Sequence, residues 1–454
     1  MSGLASTSPT DSSPRRSGLT DLPLASAIGK LAWPSMAAML AMNVFQLVDA
    51  FWVGRLGTQA LGGMSASAFF VWCLHSIGML GGTGITALVA RRVGERRPEA
   101  AGVAAGHGLL LASILGFGAA LVGLPLATSM VGALGLEQAV AAQALAYLSP
   151  ILVGMPVITG TYAIEAIFRA SGDTRTPMFL LGGTLLLNAV LDPALIFGFG
   201  PLPALGIAGA AWATVIAHAV GLCAGLAIVA RRDVRPRLPR VQLSMLWDLV
   251  RIGAPIGGSN FLFCLIYILL TPIIAEHGSA AVAAIGVGHR IEGLAYFTCV
   301  GFASAASTLV GQHLGARSPE RAERAAWMAA GYATGAVAVM SVLYYAAAPA
   351  VFGLFASDPA VIGQGTEYLR IVAIFETAMA LEVVLEGAFA GAGNSLPPMI
   401  VNAPLTALRI PAAYWLGSRM GTTGIWWAIS ISTLLKGLLM AGWFRLGRWK
   451  ETRV

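Results

Sequence analysis

Long apolar runs, each closed by a short polar connection, recur twelve times along this chain. They fall at roughly 30–54, 62–91, 99–131, 138–171, 176–199 and 206–230, then 251–275, 283–313, 320–352, 362–391, 397–417 and 423–446. A helix needs about 20 residues to cross a bilayer, and each run is long enough. The pattern predicts an all-α polytopic membrane protein of twelve transmembrane helices, with no room for a sizeable extramembrane domain. Residues 1–24 read as a disordered cytoplasmic tail, because the first 20 are rich in Ser, Thr and Pro. Arg15-Arg16 invites a twin-arginine export reading, but a long span without a small-residue cleavage site follows it.

The second half of the pattern repeats the first. "LAWPSMAAML" (31–40) aligns with "IGAPIGGSNF" (252–261), and "LGTQALGGMSA" (56–66) with "HGSAAVAAIGV" (277–287). "TALVARRVGERRPE" (86–99) aligns with "STLVGQHLGARSPE" (307–320), and "EAIFRASGDTRTPM" (165–178) with "EGAFAGAGNSLPPM" (386–399). All four pairs share one ungapped offset of 221; near the ends, "LGIAGAAWAT" (205–214) meets "TGIWWAISIS" (423–432) at 218. Two six-helix lobes follow, 25–230 and 251–446, joined by a cytoplasmic linker at 231–250 and closed by a cytoplasmic tail at 447–454. Six is even, so the repeats are parallel and related by a pseudo-two-fold axis along the membrane normal. Such an arrangement places a binding site near the midplane, with access alternating as one lobe rocks on the other.

Composition sharpens the picture. Hydrophobic residues make up 57% and charged ones 11% of the 454 residues, against about 25% charged in a soluble domain. A soluble enzyme is thereby excluded. Gly at 55 and Pro at 23 are tolerated in membrane helices, where neighbours satisfy freed backbone groups. The net charge of +7 suggests nucleic acid at first sight, but its distribution reports topology. Most of the 28 Lys and Arg residues gather in alternate connections, around Arg91–Arg97, Arg169–Arg175, Arg231–Arg251, Arg317–Arg324 and Arg445–Arg453. The opposite connections hold only Arg55 and Arg419. The positive-inside rule then puts both termini in the cytoplasm. Cys73, Cys223, Cys264 and Cys299 lie in apolar runs without metal or disulfide spacing.

A charge at the bilayer centre costs at least about 2.5–3.5 kcal/mol, so deep ionisable residues are functional candidates. Here they are Asp49, Glu165, Asp192, Glu376, Glu382 and Glu386, with Arg290, Glu292, Arg370, Arg409 and Lys436 in zones whose depth the pattern leaves open. Asn188 and Asp192 are spaced i,i+4 and share one helical face. Pro193 cannot donate its backbone N–H, which frees the carbonyl of Ala189. Asp49, Asn188 and Asp192, with a hydroxyl from Thr214, make an all-oxygen set suited to a hard cation such as Na⁺. The set equally suits a proton, since two close carboxylates away from water resist carrying two charges. The 221 offset carries Asp49 to Leu270, Asn188 to Arg409 and Asp192 to Ala413. The acidic cluster therefore belongs to one lobe, whereas a generic scaffold need would recur in both.

In the tenth span Glu382 and Glu386 share a face with Met379. Two ionised carboxylates there repel, so one is protonated or both pair with Arg409. With Glu165, the symmetric counterpart of Glu386, these residues are candidates to line a substrate cavity. Aromatic and methionine side chains near the spans, including Trp33, Phe45, Trp52, Phe69, Trp72 and Met155, are further candidates. Trp415, Trp426, Trp427 and Trp443 read as interface anchors.

In sequence order, "VDAFWVGRLG", "TALVARRVGE", "RASGDTRTPM", "NAVLDPALIFG", "LGIAGAAWATV", "HRIEGLAYF" and "LVGQHLGA" resemble the multidrug and toxic compound extrusion (MATE) family. The resemblance runs from about residue 25 to the C-terminus. It implies a V-shaped two-lobe antiporter that exports amphipathic, often cationic compounds in exchange for H⁺ or Na⁺. Some members couple through an Asp in the first helix, an Asn and an Asp in the fifth and a Thr in the sixth. Those positions match Asp49, Asn188, Asp192 and Thr214. Another branch carries coupling acids in its seventh and tenth helices, and the seventh helix here, "GGSNFLFCL", has none.

The expectation is a carrier of the branch with N-lobe coupling in a bacterial-type cytoplasmic (inner) membrane. It has no cofactor beyond the coupling ion, Na⁺ at Asp49, Asn188 and Asp192 or else H⁺. Its partners are small amphipathic substrates and membrane lipids, with no nucleic acid, and it works as a monomer. The alternative is a lipid-linked oligosaccharide flippase of the wider superfamily, which needs a basic cavity for pyrophosphate; Arg409, Arg290 and Lys436 speak for it. Without a Walker A motif ATP does not drive the chain directly, and no nucleophile–base pair marks it as an enzyme.

Overall fold

The computed structural model describes residues 19–201, 203–355 and 358–452, without the side chains of Leu47 and Phe69. The tail with Arg15 and Arg16, the side chain of Phe69, and Arg453 lie outside the described residues. The first lobe is built from α1 (Leu24–Gly54), α2 (Thr58–Gly94), α3 (Pro98–Gly132), α4 (Gln138–Ala170), α5 (Arg175–Phe197) and α6 (Ile207–Val229). The second holds α7 (Leu243–Ala275), α8 (Ser279–Gly315), α9 (Pro319–Gly353), α10 (Pro359–Gly391), α11 (Leu396–Ala407), α12 (Arg409–Met420) and α13 (Thr422–Arg445). No strand occurs among the described residues.

The helices α11 and α12 are one crossing bent at Leu408, between Pro404 and Pro411. Neither proline can donate a backbone hydrogen bond, and each crowds the turn before it. Thirteen helices thus make twelve crossings. Among the described residues, ten are long and apolar enough to cross a membrane by length and composition alone. The exceptions have visible causes: α10 carries Glu367, Arg370, Glu376, Glu382 and Glu386, and the eleventh crossing is cut by its bend.

The duplication is as clear in space as in sequence. The ends of α2, α3 and α4 reappear at the ends of α8, α9 and α10 with the same 221 offset. The turns after α2 and α8 place Arg96 (φ 59°) and Arg317 (φ 55°) in matching left-handed conformations. The last helix of each lobe corrects the sequence alignment. Gly206 (φ 59°, ψ −138°) and Gly421 (φ 64°, ψ −146°) open α6 and α13 in the same conformation. Their offset is 215, not 218. In both lobes a glycine three residues on then packs against the preceding helix, Gly209 on the Leu195 carbonyl and Gly424 on that of Leu416. The connection before α6 is longer than the one before α13, which absorbs the slip.

The connection between lobes is shorter than the 231–250 expected, because α7 already starts at Leu243. It lies along α3. The Arg237 amide donates to the Gly102 carbonyl (2.9 Å), and the Gln242 amide to His107 Nε2 (3.0 Å).

The lobes meet at their basic ends. There α1 packs on α8 and α2 on α7. Thr308 donates to the Arg169 carbonyl (3.1 Å), Gln312 to that of Ala170 (2.8 Å), and Arg91 to that of Thr452 (3.0 Å). A symmetric glycine pair makes one of the close approaches. A Cβ at Gly94 would run into the Gln312 carbonyl, and one at Gly315 into that of Arg91. Small residues admit such backbone contact where larger ones would not.

Gly94→Ala should weaken this contact by about 1–3 kcal/mol, the usual cost of overpacking. Gly118→Ala, at a position with no other atom within 4 Å, should leave stability unchanged or raise it by about 0.5–1 kcal/mol. Thermal unfolding of the detergent-solubilised chain compares the two. Equal melting of both variants would remove the close contact.

Candidate ion-coupling site

Asp49 stands in the last turns of α1, and Asn188 and Asp192 stand on one face of α5. The helices pack together, and next to the site the rings of Trp52 and Phe197 meet edge to face at 6.3 Å. Burial is nearly complete: Asp49 is 4%, Asn188 1% and Asp192 0% exposed. The Asn188 amide nitrogen donates to Asp192 Oδ1 at 3.1 Å. Asp192 also lies within electrostatic reach of Asp49.

A residue that sequence reasoning did not single out completes the group. Tyr147 of α4 donates its hydroxyl to Asp49 Oδ2 at 3.3 Å and lies within reach of the Asp192 charge as well. A signal for it existed: Tyr147 and Tyr368 are related by the 221 offset. Thr214 of α6 gives its proton to the Ala210 carbonyl of its own helix at 3.1 Å and makes no hydrogen bond to the three.

Once these bonds are made, Asp49 Oδ1, Asn188 Oδ1 and Asp192 Oδ2 remain buried without a protein hydrogen-bond partner. Buried polar atoms are almost always satisfied, and one left unmade costs about 1–3 kcal/mol or more if charged. Three such oxygens on two adjoining helices form an acceptor set with no donor of its own. A set of this chemistry suits a hard cation or a shared proton.

The second lobe is wired differently from the expectation. Glu382 is paired with Lys436 of α13, Nζ to Oε1 at 2.7 Å, both buried. Glu386, half-buried, accepts from Asn402 at 3.1 Å. Arg409 pairs with neither; it donates to the hydroxyls of Ser432 (2.6 Å), Tyr267 (3.0 Å) and Thr433 (3.0 Å). The bend at Leu408 aims the start of α12 at α7 and α13 instead of α10. Glu165 holds Arg169 one turn away at 3.2 Å. Glu376 is 1% exposed with neither carboxylate oxygen bonded to protein. Met379 is packed in the core of this lobe. Trp426 is no interface anchor: it is fully buried, edge-on to Tyr368 at 5.0 Å. Trp415 stays exposed beneath the guanidinium of Arg419, 4.3 Å from its ring centre.

A family model described as MatE matches residues 34–194 and, a second time, 255–415. The chain belongs to the MATE family. As a MATE transporter with apolar helical crossings it is a multi-pass integral membrane protein. It is 27% identical over 436 residues to "Probable multidrug resistance protein NorM" of Thermotoga maritima, covering 94% of this chain and 93% of that one. It is 26% identical over 435 residues to the "FAD transporter" of Shewanella oneidensis, covering 93% and 95%. Among solved structures it matches a MOP superfamily transporter from Pyrococcus furiosus, at TM-score 0.89 and 25% identity, over 96% of this chain and 98% of that one. That protein is described by a reversed polarity of its binding pocket, taken to suggest a different function.

The Glu382–Lys436 pair of this MATE chain can be tested as a buried ion pair. Lys436→Met should cost about 3–5 kcal/mol, because it strands a buried carboxylate. Adding Glu382→Met should recover most of that loss. Thermal unfolding of the purified variants reads both effects, and a double variant as unstable as the single one would refute the pairing.

Proposed function

We propose that this chain is a secondary antiporter that exports amphipathic compounds, cationic ones among them, in exchange for H⁺ or Na⁺. The observation that carries the reading is the set of three buried oxygens, on Asp49, Asn188 and Asp192, that no protein donor satisfies. In this reading the two aspartates take the ion from outside, with Asn188 as a third oxygen ligand and Tyr147 fixing Asp49. Thr214 lends a further hydroxyl when the sixth helix shifts.

Coupling requires that ion and substrate prefer different states of the carrier. The inter-lobe contacts at the basic ends support a state closed on that side. Neutralising the Asp49–Asp192 cluster repacks α1 on α5, lowers substrate affinity and releases the compound outside. Glu386, half-buried and held at one oxygen, is the acid best placed to meet a positive substrate group. The multidrug resistance names of relatives support drugs and toxins as cargo. The concentration of Lys and Arg at one end supports a bacterial-type cytoplasmic membrane with both termini inside. The carrier works as a monomer, takes no resident cofactor and handles neither nucleic acid nor ATP.

Reconstituted in proteoliposomes, the chain should export a cationic dye when a proton or a sodium gradient, imposed separately, drives it. Asp49→Asn and Asp192→Asn should each abolish gradient-driven efflux while the protein still purifies at near-normal yield. Wild-type efflux from both variants would remove the site.

A further inference from the structure

The 221 offset carries the N-lobe site into the C-lobe residue by residue, and its charge is inverted there. Tyr147 becomes Tyr368, Asp49 becomes Leu270, Asp192 becomes Ala413, and Asn188 becomes Arg409. The acids are gone, and a guanidinium stands where an amide stood.

Arg409 is 3% exposed. Its Nε, Nη1 and Nη2 each donate one hydrogen bond, all to neutral hydroxyls. Ser432 and Thr433 in turn donate to the Ile429 carbonyl of their own helix, at 2.7 and 3.2 Å, which fixes them as acceptors toward the arginine. Among the described residues no carboxylate lies within 4.0 Å of Arg409. The nearby acids are engaged elsewhere: Glu382 by Lys436 at 2.7 Å, and Glu292 by Tyr368 at 2.7 Å.

A guanidinium has five N–H donors, and three hydroxyls use three of them. One N–H on each terminal nitrogen is left over, and a guanidinium with a free N–H on each can hold carboxylate or phosphate oxygens in pairs. Polar neighbours ease the burial of the cation but do not neutralise it; an oxyanion does. Tyr267 and Thr433 are only half-buried. Tyr267 leans on the ring of Phe263 at 4.7 Å, and Phe263 is 42% exposed. Tyr267 belongs to α7, the helix that packs on α2 of the other lobe. Arg409 and Glu386, of opposite charge, both lie within electrostatic reach of Lys436.

We propose that Arg409, held by Tyr267, Ser432 and Thr433, is an oxyanion site that takes the carboxylate or phosphate of an amphipathic substrate. The proposal rests on the reading of the chain as an exporter of amphipathic compounds. It narrows the substrate class to molecules that carry an oxyanion, zwitterions foremost, with their positive group toward Glu386.

Two matched probe pairs test it on the full-length chain in detergent. One is a xanthene dye with a free carboxylate and its methyl ester; the other is riboflavin phosphate and riboflavin. A bidentate charge-assisted contact is worth about tenfold or more in affinity. The wild type should therefore bind at least one acidic member about tenfold tighter than its neutral partner, and inorganic phosphate should compete with that acidic member more strongly. Which pair discriminates tells carboxylate from phosphate recognition. In Arg409→Gln the ratio of affinities should fall to about one, in Arg409→Lys it should fall part-way, and in Arg419→Gln it should persist.

Equal wild-type binding within both pairs, or an unchanged ratio in Arg409→Gln, would overturn the proposal. The wild-type comparison and Arg409→Lys decide the matter even if the glutamine variant does not fold. Gradient-driven efflux of the ester dye tests the export reading separately. Discrimination without efflux would sink that reading and leave the site, while efflux without discrimination would do the reverse.

Discussion

Hydrocarbon cannot hydrate a buried polar atom, so every such atom in a membrane helix must find its partner inside the protein. That constraint organises this molecule. Most deep polar groups obey it locally: Ser35, Ser67, Thr86 and Thr184 return their protons to the carbonyl one turn back. Glu382 and Lys436 obey it across two helices. The informative places are those where it is not met. Both oxygens of Glu376 are unpaired among the described residues. Three acceptor oxygens on α1 and α5 lack donors, and a hydrogen-bonded guanidinium on α12 has no carboxylate within 4.0 Å. The last two are deficits of opposite sign.

The two deficits occupy equivalent positions in a duplicated fold. Duplication keeps what packing demands, namely helix lengths, the glycine contacts Gly94 and Gly315, and the tyrosine pair Tyr147 and Tyr368. It leaves the polar inserts free to diverge, because a residue at a site is constrained by its ligand and not by its neighbours' shapes. Leu270 and Ala413, both fully buried, fill with hydrocarbon the positions that Asp49 and Asp192 give to carboxylates. The two lobes are therefore alike as scaffolds and opposite in charge at these equivalent positions.

The contact between lobes has its own logic. It combines close glycine contacts and a few hydrogen bonds to carbonyls at helix ends with buried apolar side chains, Ile28 and Leu31 of α1 in one core with α8 and Leu249 and Ile252 of α7 in another with α2. Packing of this kind relies on van der Waals contact. Such an interface suits two packed lobes that exchange one closed end for the other, as the proposed antiport requires.

The amino-acid sequence by itself determined the spans, their number, the duplication and the side on which the charge lies. Each of these follows from a local or periodic property, namely apolar length, an ungapped offset and the placement of Lys and Arg. It also named Asp49, Asn188 and Asp192, since an acid in an apolar run is conspicuous and an i,i+4 pair shares a face without further information. What it could not supply were partners between helices. Lys436 and not Arg409 meets Glu382, Tyr147 and not Thr214 bonds Asp49, Trp426 is interior, and the last helices register at 215. Those facts depend on how α1, α4, α10, α12 and α13 rotate about their axes and on the bend at Leu408. Rotation and bend are set by the packing of all the helices together, and no window of sequence carries them.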